Sequence, residues 1–285
     1  MPAPRLGGGF FLCKKAALPY NTRPNAKHNP EATIYRPTGA ARAMKEKITE
    51  NLQRIRGDIA DVCVRVGRDP GEVRIIAVTK YVELDAIRDV FDLGVTDIGE
   101  SRVQQFVERH GELDKQLATA APTGETPPKP LWHMVGHLQR NKVRSLLPVT
   151  DYIHSVDSLR LAEEINTQAA RLGLADKVNV FLQVNTSQEK QKFGLAVGAV
   201  NAMAEQILTL PNLKLVGLMT MAPNTDNMDT CRFCFGRLRE IFEELRGERL
   251  TGPAFEHLSM GMSNDFKAAV EMGATMIRLG TALFT

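Results

Sequence analysis

Two short runs carry groups that could hold one ligand between them. Val73–Lys80 (VRIIAVTK) ends in a lysine, whose amine can condense with an aldehyde. Ala274–Thr281 (ATMIRLGT) ends in Arg278, Gly280 and Thr281, a guanidinium beside a glycine-containing notch of phosphate size. Taken singly, a lysine after an apolar run is an ordinary solvated strand end. Nearly the whole barrel-forming part of the chain separates the two runs, so they can cooperate only if the fold brings their ends together.

The hydrophobic pattern supplies such a fold. Apolar runs at 73–79, 95–99, 131–136, 151–155, 178–185, 213–219, 255–258 and 275–279 read as strands. Helical patterns follow at 83–93, 101–117, 137–147, 157–172, 196–209, 229–246 and 264–272. Ahead of them, Met44, Ile48, Leu52, Ile55, Ile59, Val62 and Val66 recur at three- and four-residue steps, a leading helix that Gly67 stops and Asp69-Pro70-Gly71 turns. Strictly alternating βα units of this number close into a single (β/α)8 barrel, in which the first and last strands are neighbours. The leading helix covers the gap that an eighth βα helix would fill. Thr119–Pro130 (TAAPTGETPPKP) interrupts the rhythm as a surface loop.

Barrel active sites lie at the carboxyl ends of the strands, and the polar residues found there are the candidates. Strand two ends in Gly99-Glu100-Ser101. Strand three carries His133, on an apolar run where a packed, hydrogen-bonded histidine is the ordinary alternative to a ligand contact. Strand seven ends in Ser259-Met260-Gly261-Met262-Ser263-Asn264-Asp265, small residues and a glycine before a helix start, the ingredients of an anion cradle. The loops after strands seven and eight are where many barrels hold a phosphate. An amine, a guanidinium and two phosphate-sized notches at one mouth suggest a cofactor with an aldehyde, a ring and a phosphate: pyridoxal 5′-phosphate.

Composition narrows the alternatives. No apolar run approaches the roughly 20 residues of a membrane-spanning helix. The net charge of +3 is uneven, since residues 1–44 carry seven Lys/Arg against the single acid Glu31, leaving the rest mildly acidic. Such a body is a poor partner for a phosphate backbone, which excludes nucleic acid as the main ligand. Four cysteines make no disulfide framework at this length, and Cys231-x-x-Cys234 reads as two small residues on a packed helix. Residues 1–44, with six of the fifteen prolines and the run Gly7-Gly8-Gly9, form an extension: either a disordered tail or a targeting segment. The barrel domain is then 45–285.

The motifs AVTK (77–80), IGES-RVQ (98–104), WHMVGHLQRNK (132–142), HSVDS (154–158), KFGL (192–195), GLMTMAP (217–223) and HLSMGMSNDFKAAVEMGATMIRLGTALF (257–284) resemble the pyridoxal phosphate homeostasis protein family across residues 44–284. The resemblance implies a barrel of the alanine-racemase N-terminal-domain type without the C-terminal β-domain of the racemases. It implies that Lys80 forms the internal aldimine and that Arg278 faces the pyridine nitrogen. Ser259, Gly261, Met262, Ser263, Gly280 and Thr281 fall where the family holds the phosphate, and His133 and Ser101 join the cofactor-binding set. The family pattern has asparagine where this chain has Ser101, a side chain one atom shorter, which puts that contact in question. The sequence also stops at Leu283-Phe284-Thr285, where the family pattern continues, so a looser phosphate loop is expected.

A cytoplasmic, non-catalytic monomer is expected, since the chain shows no second domain after the barrel and the site no placed second base. It would buffer or carry pyridoxal phosphate in vitamin B6 homeostasis, with apo-enzymes that need the cofactor as further partners. Residues 1–44 would redirect it only if they act as a mitochondrial or other organellar signal. An arginine at the ring nitrogen disfavours ring protonation and weakens the electron sink that amino-acid chemistry needs. Two enzymatic alternatives are a low-activity racemase and a phosphosugar barrel using Lys80 as its own Schiff-base lysine.

Overall fold

The computed structural model describes residues 39–120, 129–189, 191–247 and 251–285. Chain order runs α1 (Gly39–Val66), β1 (Arg74–Val78), α2 (Leu84–Asp92), β2 (Asp97–Glu100), α3 (Val103–Ala120), β3 (Leu131–Met134), α4 (Val143–Leu146), β4 (Tyr152–Val156), α5 (Leu159–Leu172) and β5 (Val178–Gln183). It continues with α6 (Val200–Leu208), β6 (Leu213–Met219), α7 (Met228–Gly247), β7 (His257–Ser259), α8 (Phe266–Glu271), β8 (Met276–Leu279) and the single turn α9 (Thr281–Phe284). The strands pair in sequence order, all parallel, and β8 pairs back onto β1. The described residues therefore form the closed eight-stranded barrel that the alternation of periods implies.

Closure is specific in register. Arg74, Ile75, Ile76 and Ala77 face Met276, Ile277, Arg278 and Leu279 across the seam. Side chains alternate along each strand. Ile76 and Met276 point into the barrel beside Phe181, Val216 and Met219, while Ala77, Ile277 and Leu279 face the helices in the larger outer core.

The leading helix forms for the reason its period suggests. Ile48, Leu52, Ile55, Ile59 and Val62 are all at most 4% exposed, and α1 packs along α2, α8 and α9. It closes the outer layer between the last helices and α2. Gly67, at φ 69°, turns the chain out of the helix, and Asp69 caps the next turn by accepting from the Gly71 amide at 2.8 Å. Arg68 then donates to the carbonyls of Val270 and Ala274, tying α1 to the end of α8. α1 begins at Gly39, five residues ahead of the first periodic apolar position. Residues 1–38, most of the expected extension, lie outside the described residues, as do 121–128 of the Thr119–Pro130 loop.

The predicted helix 137–147 is instead a 3-10 turn at Arg140–Lys142, the short α4, and a second 3-10 turn at Leu147–Val149. Pro148 supplies no amide for a continuing helix, and Leu138, Val143, Leu146 and Leu147 still reach the core through the broken path.

Backbones approach closely where the β5–β6 register shifts. A Cβ on Gly217 would stand 1.9 Å from the His257 carbonyl oxygen and 3.0 Å from Phe181 Cε1. Gly57, exposed in mid-α1, has nothing within 4 Å of a built Cβ. Gly217→Ala should lose about 1–3 kcal/mol of stability or more through overpacking. Gly57→Ala should gain about 1 kcal/mol from helix propensity. Chemical denaturation of the two variants checks both signs.

Candidate functional site

The inward parity of β1, Ile76 then Val78, continues past the strand end to Lys80. The β1–β8 register puts the Arg278 side chain level with Ile76 and brings Gly280 beside Val78. The barrel mouth therefore holds a cavity of about 420 Å³, lined by Lys80, Ser101, Met262, Ser263, Arg278, Gly280 and Thr281 among others. Seven of the ten residues singled out in the sequence meet there. The Lys80 ammonium rests 4.8 Å from the ring centroid of the exposed Tyr81.

The wall formed after β7 and β8 is built around backbone amides. Gly261 takes φ 93°, a conformation that favours glycine, and its carbonyl accepts from the Arg278 amide at 2.9 Å. A Cβ there would lie 2.5 Å from the Ala269 Cβ, so the residue serves the turn, and it does not line the cavity. Asp265 holds the turn by accepting from the Met262 amide at 2.5 Å. Burial pushes its carboxyl above the usual range, against the opposing pull of that amide and of Arg278. The amides of Gly280 and Ala282 both donate to Ser263 Oγ, at 3.3 and 3.0 Å. Two amides thus converge on one oxygen at the cavity wall, the donor geometry an anionic oxygen requires.

Arg278 is 4% exposed, and no ion pair reaches it among the described residues. Burial lowers its pKa to about 10, with Asp265 the one charge opposing the drop. One guanidinium nitrogen donates to Ser259 Oγ at 2.6 Å and another to the Thr220 carbonyl at 2.9 Å.

Behind Arg278 runs a chain of buried hydrogen bonds through the barrel. Ser259 Oγ lies 2.8 Å from His154 Nδ1, His154 Nε2 lies 2.9 Å from His133 Nδ1, and His133 Nε2 lies 2.8 Å from Asp97 Oδ1. Arg74 closes the far end on the same Asp97 oxygen. An ionised aspartate can only accept, so with both imidazoles neutral every proton between the two ends is fixed. Arg278 donates to Ser259, Ser259 to His154, His154 to His133 and His133 to Asp97, with both imidazoles neutral. Burial depresses the pKa of His133 and His154. At Asp97 burial would raise the carboxyl, and His133 and Arg74 together outweigh it and hold the group low.

His133 and Ser259 lie behind the mouth. Neither lines the cavity. His133 is fully buried, stacked on Tyr152 at 4.6 Å with both ring nitrogens engaged, and Ser259 spends its hydroxyl on Arg278 and His154. They support the site from below. His137, Phe193, Asn224 and Thr225, none of them selected from the sequence, also line the cavity, as does Asp265 of the strand-seven run. His137 stacks on Phe193 at 4.2 Å and lies 3.8 Å from Asp157. Inward parity from Val135 would have found His137, whereas Asn224 and Thr225 follow a strand with no such signal. Cys231 and Cys234 are buried on α7, their thiols raised chiefly by burial, and no cluster fit for a metal occurs among the described residues.

Residues 46–285 match the family described as alanine racemase, N-terminal domain. Among curated relatives, the pyridoxal phosphate homeostasis protein of Aquifex aeolicus is 37% identical over 82% of this chain and 96% of its own. That of Escherichia coli K12 is 33% identical over 83% and 95%. Among solved structures, PipY of Synechococcus elongatus with PLP bound has a TM-score of 0.69 at 32% identity, covering 84% of this chain and all of that one. Alanine racemase of Clostridium difficile, at 16% identity and TM-score 0.62, shares the fold. The chain belongs to the alanine racemase N-terminal-domain family and, within it, to the pyridoxal phosphate homeostasis proteins.

Neutral burial of His133 and His154 has a pH consequence. In the unfolded chain each imidazole takes a proton near pH 6.5, while in the folded barrel each resists it. The unfolded state therefore binds more protons as pH falls below about 6.5, and stability drops by up to about 1.4 kcal/mol per pH unit for each histidine. His257, also depressed by burial, adds in the same direction. The urea midpoint should fall steadily from about pH 7 to about pH 5. A flat midpoint across that window would contradict the neutral relay.

Proposed function

We propose that this chain holds pyridoxal 5′-phosphate covalently through Lys80 and acts as an intracellular carrier and buffer of that cofactor. The observation that carries the proposal is a single one: Lys80, Arg278 and Gly280 line the same cavity. The relatives are named for pyridoxal phosphate homeostasis, and one similar structure contains the bound cofactor. When bound, the cofactor supplies an aldehyde and an electron-withdrawing ring.

Each residue has a part. Lys80, on the cavity wall, would supply the amine that holds the cofactor through its aldehyde. Arg278, held by Ser259 and the Thr220 carbonyl, would face the ring nitrogen of a bound cofactor and oppose its protonation. Ser263, Gly280 and Thr281 would hold the phosphate, with Met262 on the same wall. Ser101 lines the cavity and would meet the ring's edge with a shorter reach than asparagine has. Gly261, Ser259 and His133 shape or brace these groups without touching the cofactor.

A carrier needs the hold without the chemistry that follows it. Arg278 weakens the electron sink on which loss of an amino-acid α-proton depends. Recipient apo-enzymes are the natural partners of such a protein, and a cytoplasmic monomer is its proposed form. No helix of the described residues is long and apolar enough to cross a membrane. Fractionation of the tagged full-length chain tests whether residues 1–44 direct it to an organelle.

Purified protein incubated with pyridoxal phosphate should gain a visible chromophore that borohydride abolishes, leaving one reduced adduct on Lys80 by peptide mass. Lys80→Ala should lose the adduct while retaining weak phosphate-dependent binding. Arg278→Ala should weaken cofactor affinity on the order of 10- to 100-fold, the scale of one charged hydrogen bond. An undiminished adduct in Lys80→Ala would place the amine elsewhere. Rapid α-proton washout from a panel of amino acids would replace the carrier with an enzyme, and His137 would be the first acid–base group to substitute.

A further inference from the structure

We infer that Arg109 and Glu100 are positioning residues for Lys80, gripping the turn that presents its amine. The inference rests on the function proposed above and concerns residues that do not line the cavity. β1 ends at Val78, so Lys80 sits on the turn Thr79–Val82. That turn has one internal backbone bond, from the Val82 amide to the Thr79 carbonyl at 3.1 Å, and both Lys80 and Tyr81 are exposed. Left to itself, so short and exposed a segment would let the amine wander over its own arc.

Side chains from α3 remove that freedom. Arg109 donates to the Thr79 carbonyl with one guanidinium nitrogen and to the Val82 carbonyl with the other, the latter at 2.6 Å. Gln105 donates to the Lys80 carbonyl at 3.3 Å. All three carbonyls at 79, 80 and 82 are therefore held by one helix face. Arg109 is itself held by Glu100, whose Oε1 accepts from it at 2.6 Å and also takes the Thr79 hydroxyl.

Glu100 is fully buried, and its second carboxylate oxygen has no partner. A buried ion pair with an unsatisfied oxygen is poor value for stability alone, since apolar side chains of similar volume commonly do as well. What it provides is a rigid fork. The grip joins the ends of β1 and β2, because Glu100 immediately precedes the cavity-lining Ser101. Thr79 faces outward to the clamp, and the next residue, Lys80, faces inward to the ligand. A small error in amine placement is costly to a condensation step, since misplacement by about an ångström can slow a reaction on the order of 100-fold.

The test compares two ligands on the full-length protein. Pyridoxal 5′-phosphate engages the amine, the arginine and the phosphate wall; pyridoxine 5′-phosphate has the same ring and phosphate but an alcohol in place of the aldehyde. In Arg109→Gln, borohydride-trapped capture of pyridoxal phosphate on Lys80 should slow roughly 10- to 100-fold. Affinity for pyridoxine phosphate should stay within about twofold, because its phosphate and ring-nitrogen contacts lie on the other wall. Arg109→Lys, which keeps the charge on Glu100 but loses the fork, should restore part of the rate.

Equal weakening of both ligands would show a general structural brace, and no change in either would show a passive contact; both overturn the inference. Should Arg109→Gln fail to fold, Gln105→Ala removes the bond to the Lys80 carbonyl and Thr79→Val the hydroxyl's contacts with Glu100 and the Gly99 carbonyl; each should show the same selective slowing to a smaller degree. Loss of selectivity there is equally decisive. If the unsubstituted protein forms no adduct on Lys80, the covalent cofactor assignment fails and this inference falls with it; an intact wild-type adduct isolates the failure to the clamp.

Discussion

The pairing of β1 with β8 is the contact on which the rest depends. Without it the chain is a row of βα units, with Lys80 at one end and Arg278 and Gly280 at the other. With it, in the register that sets Ile76 against Arg278, amine and guanidinium point into one cavity. A slip of one residue would turn Arg278 out among the helices and leave Leu279 facing the barrel interior. α1 and the turn that follows it reinforce the seam from outside, through Asn51 to Leu283 and Arg68 to Val270 and Ala274. The leading helix thus belongs to the site's architecture although it contributes no residue to the mouth.

The barrel interior departs from the usual layers of branched aliphatic side chains. Ile76, Val216 and Met276 share it with His133, His154, Tyr152 and Phe181, stacked or tilted against each other at 4.2 to 6.5 Å. Such a core is expensive unless every polar group is satisfied. Here the run from Arg278 to Asp97 satisfies both imidazoles at both nitrogens. The return on that arrangement is a guanidinium whose orientation is set before any ligand arrives. Two unrelated devices thus serve one end: a neutral relay fixes the arginine, and an ion-pair clamp grips the turn bearing the lysine.

Much of this was legible from residue spacing. The strand periods located all eight strands to within a few residues, and parity along VRIIAVTK placed Lys80 inward. The cradle after the seventh strand was visible in SMGMS as a turn that small residues permit. Depth was not legible. His133 has the inward parity of a ligand contact, but nothing local says that Asp97 and His154 will occupy both its nitrogens. Asp97, an acid two positions before Gly99 on the same inward face, was the available clue. Helix 137–147 failed because its apolar spacing survives a path that is extended at Gln139, 3-10 over Arg140–Lys142 and α-helical only over Val143–Leu146. The clamp was hidden for another reason: Arg109 reads as an ordinary polar position on a surface helix, and only the packing of α3 behind β1 brings it to the carbonyls of Thr79 and Val82.

The central claim is that one ligand bridges the opening and closing strands. A crystal structure of the protein grown with pyridoxal 5′-phosphate tests it most directly. The account requires continuous electron density from the Lys80 Nζ to the ring, the Arg278 guanidinium at the ring nitrogen, and the phosphate against Ser263, Gly280 and Thr281. Density for the cofactor away from the mouth, or a phosphate lodged on the side opposite β8, would contradict it.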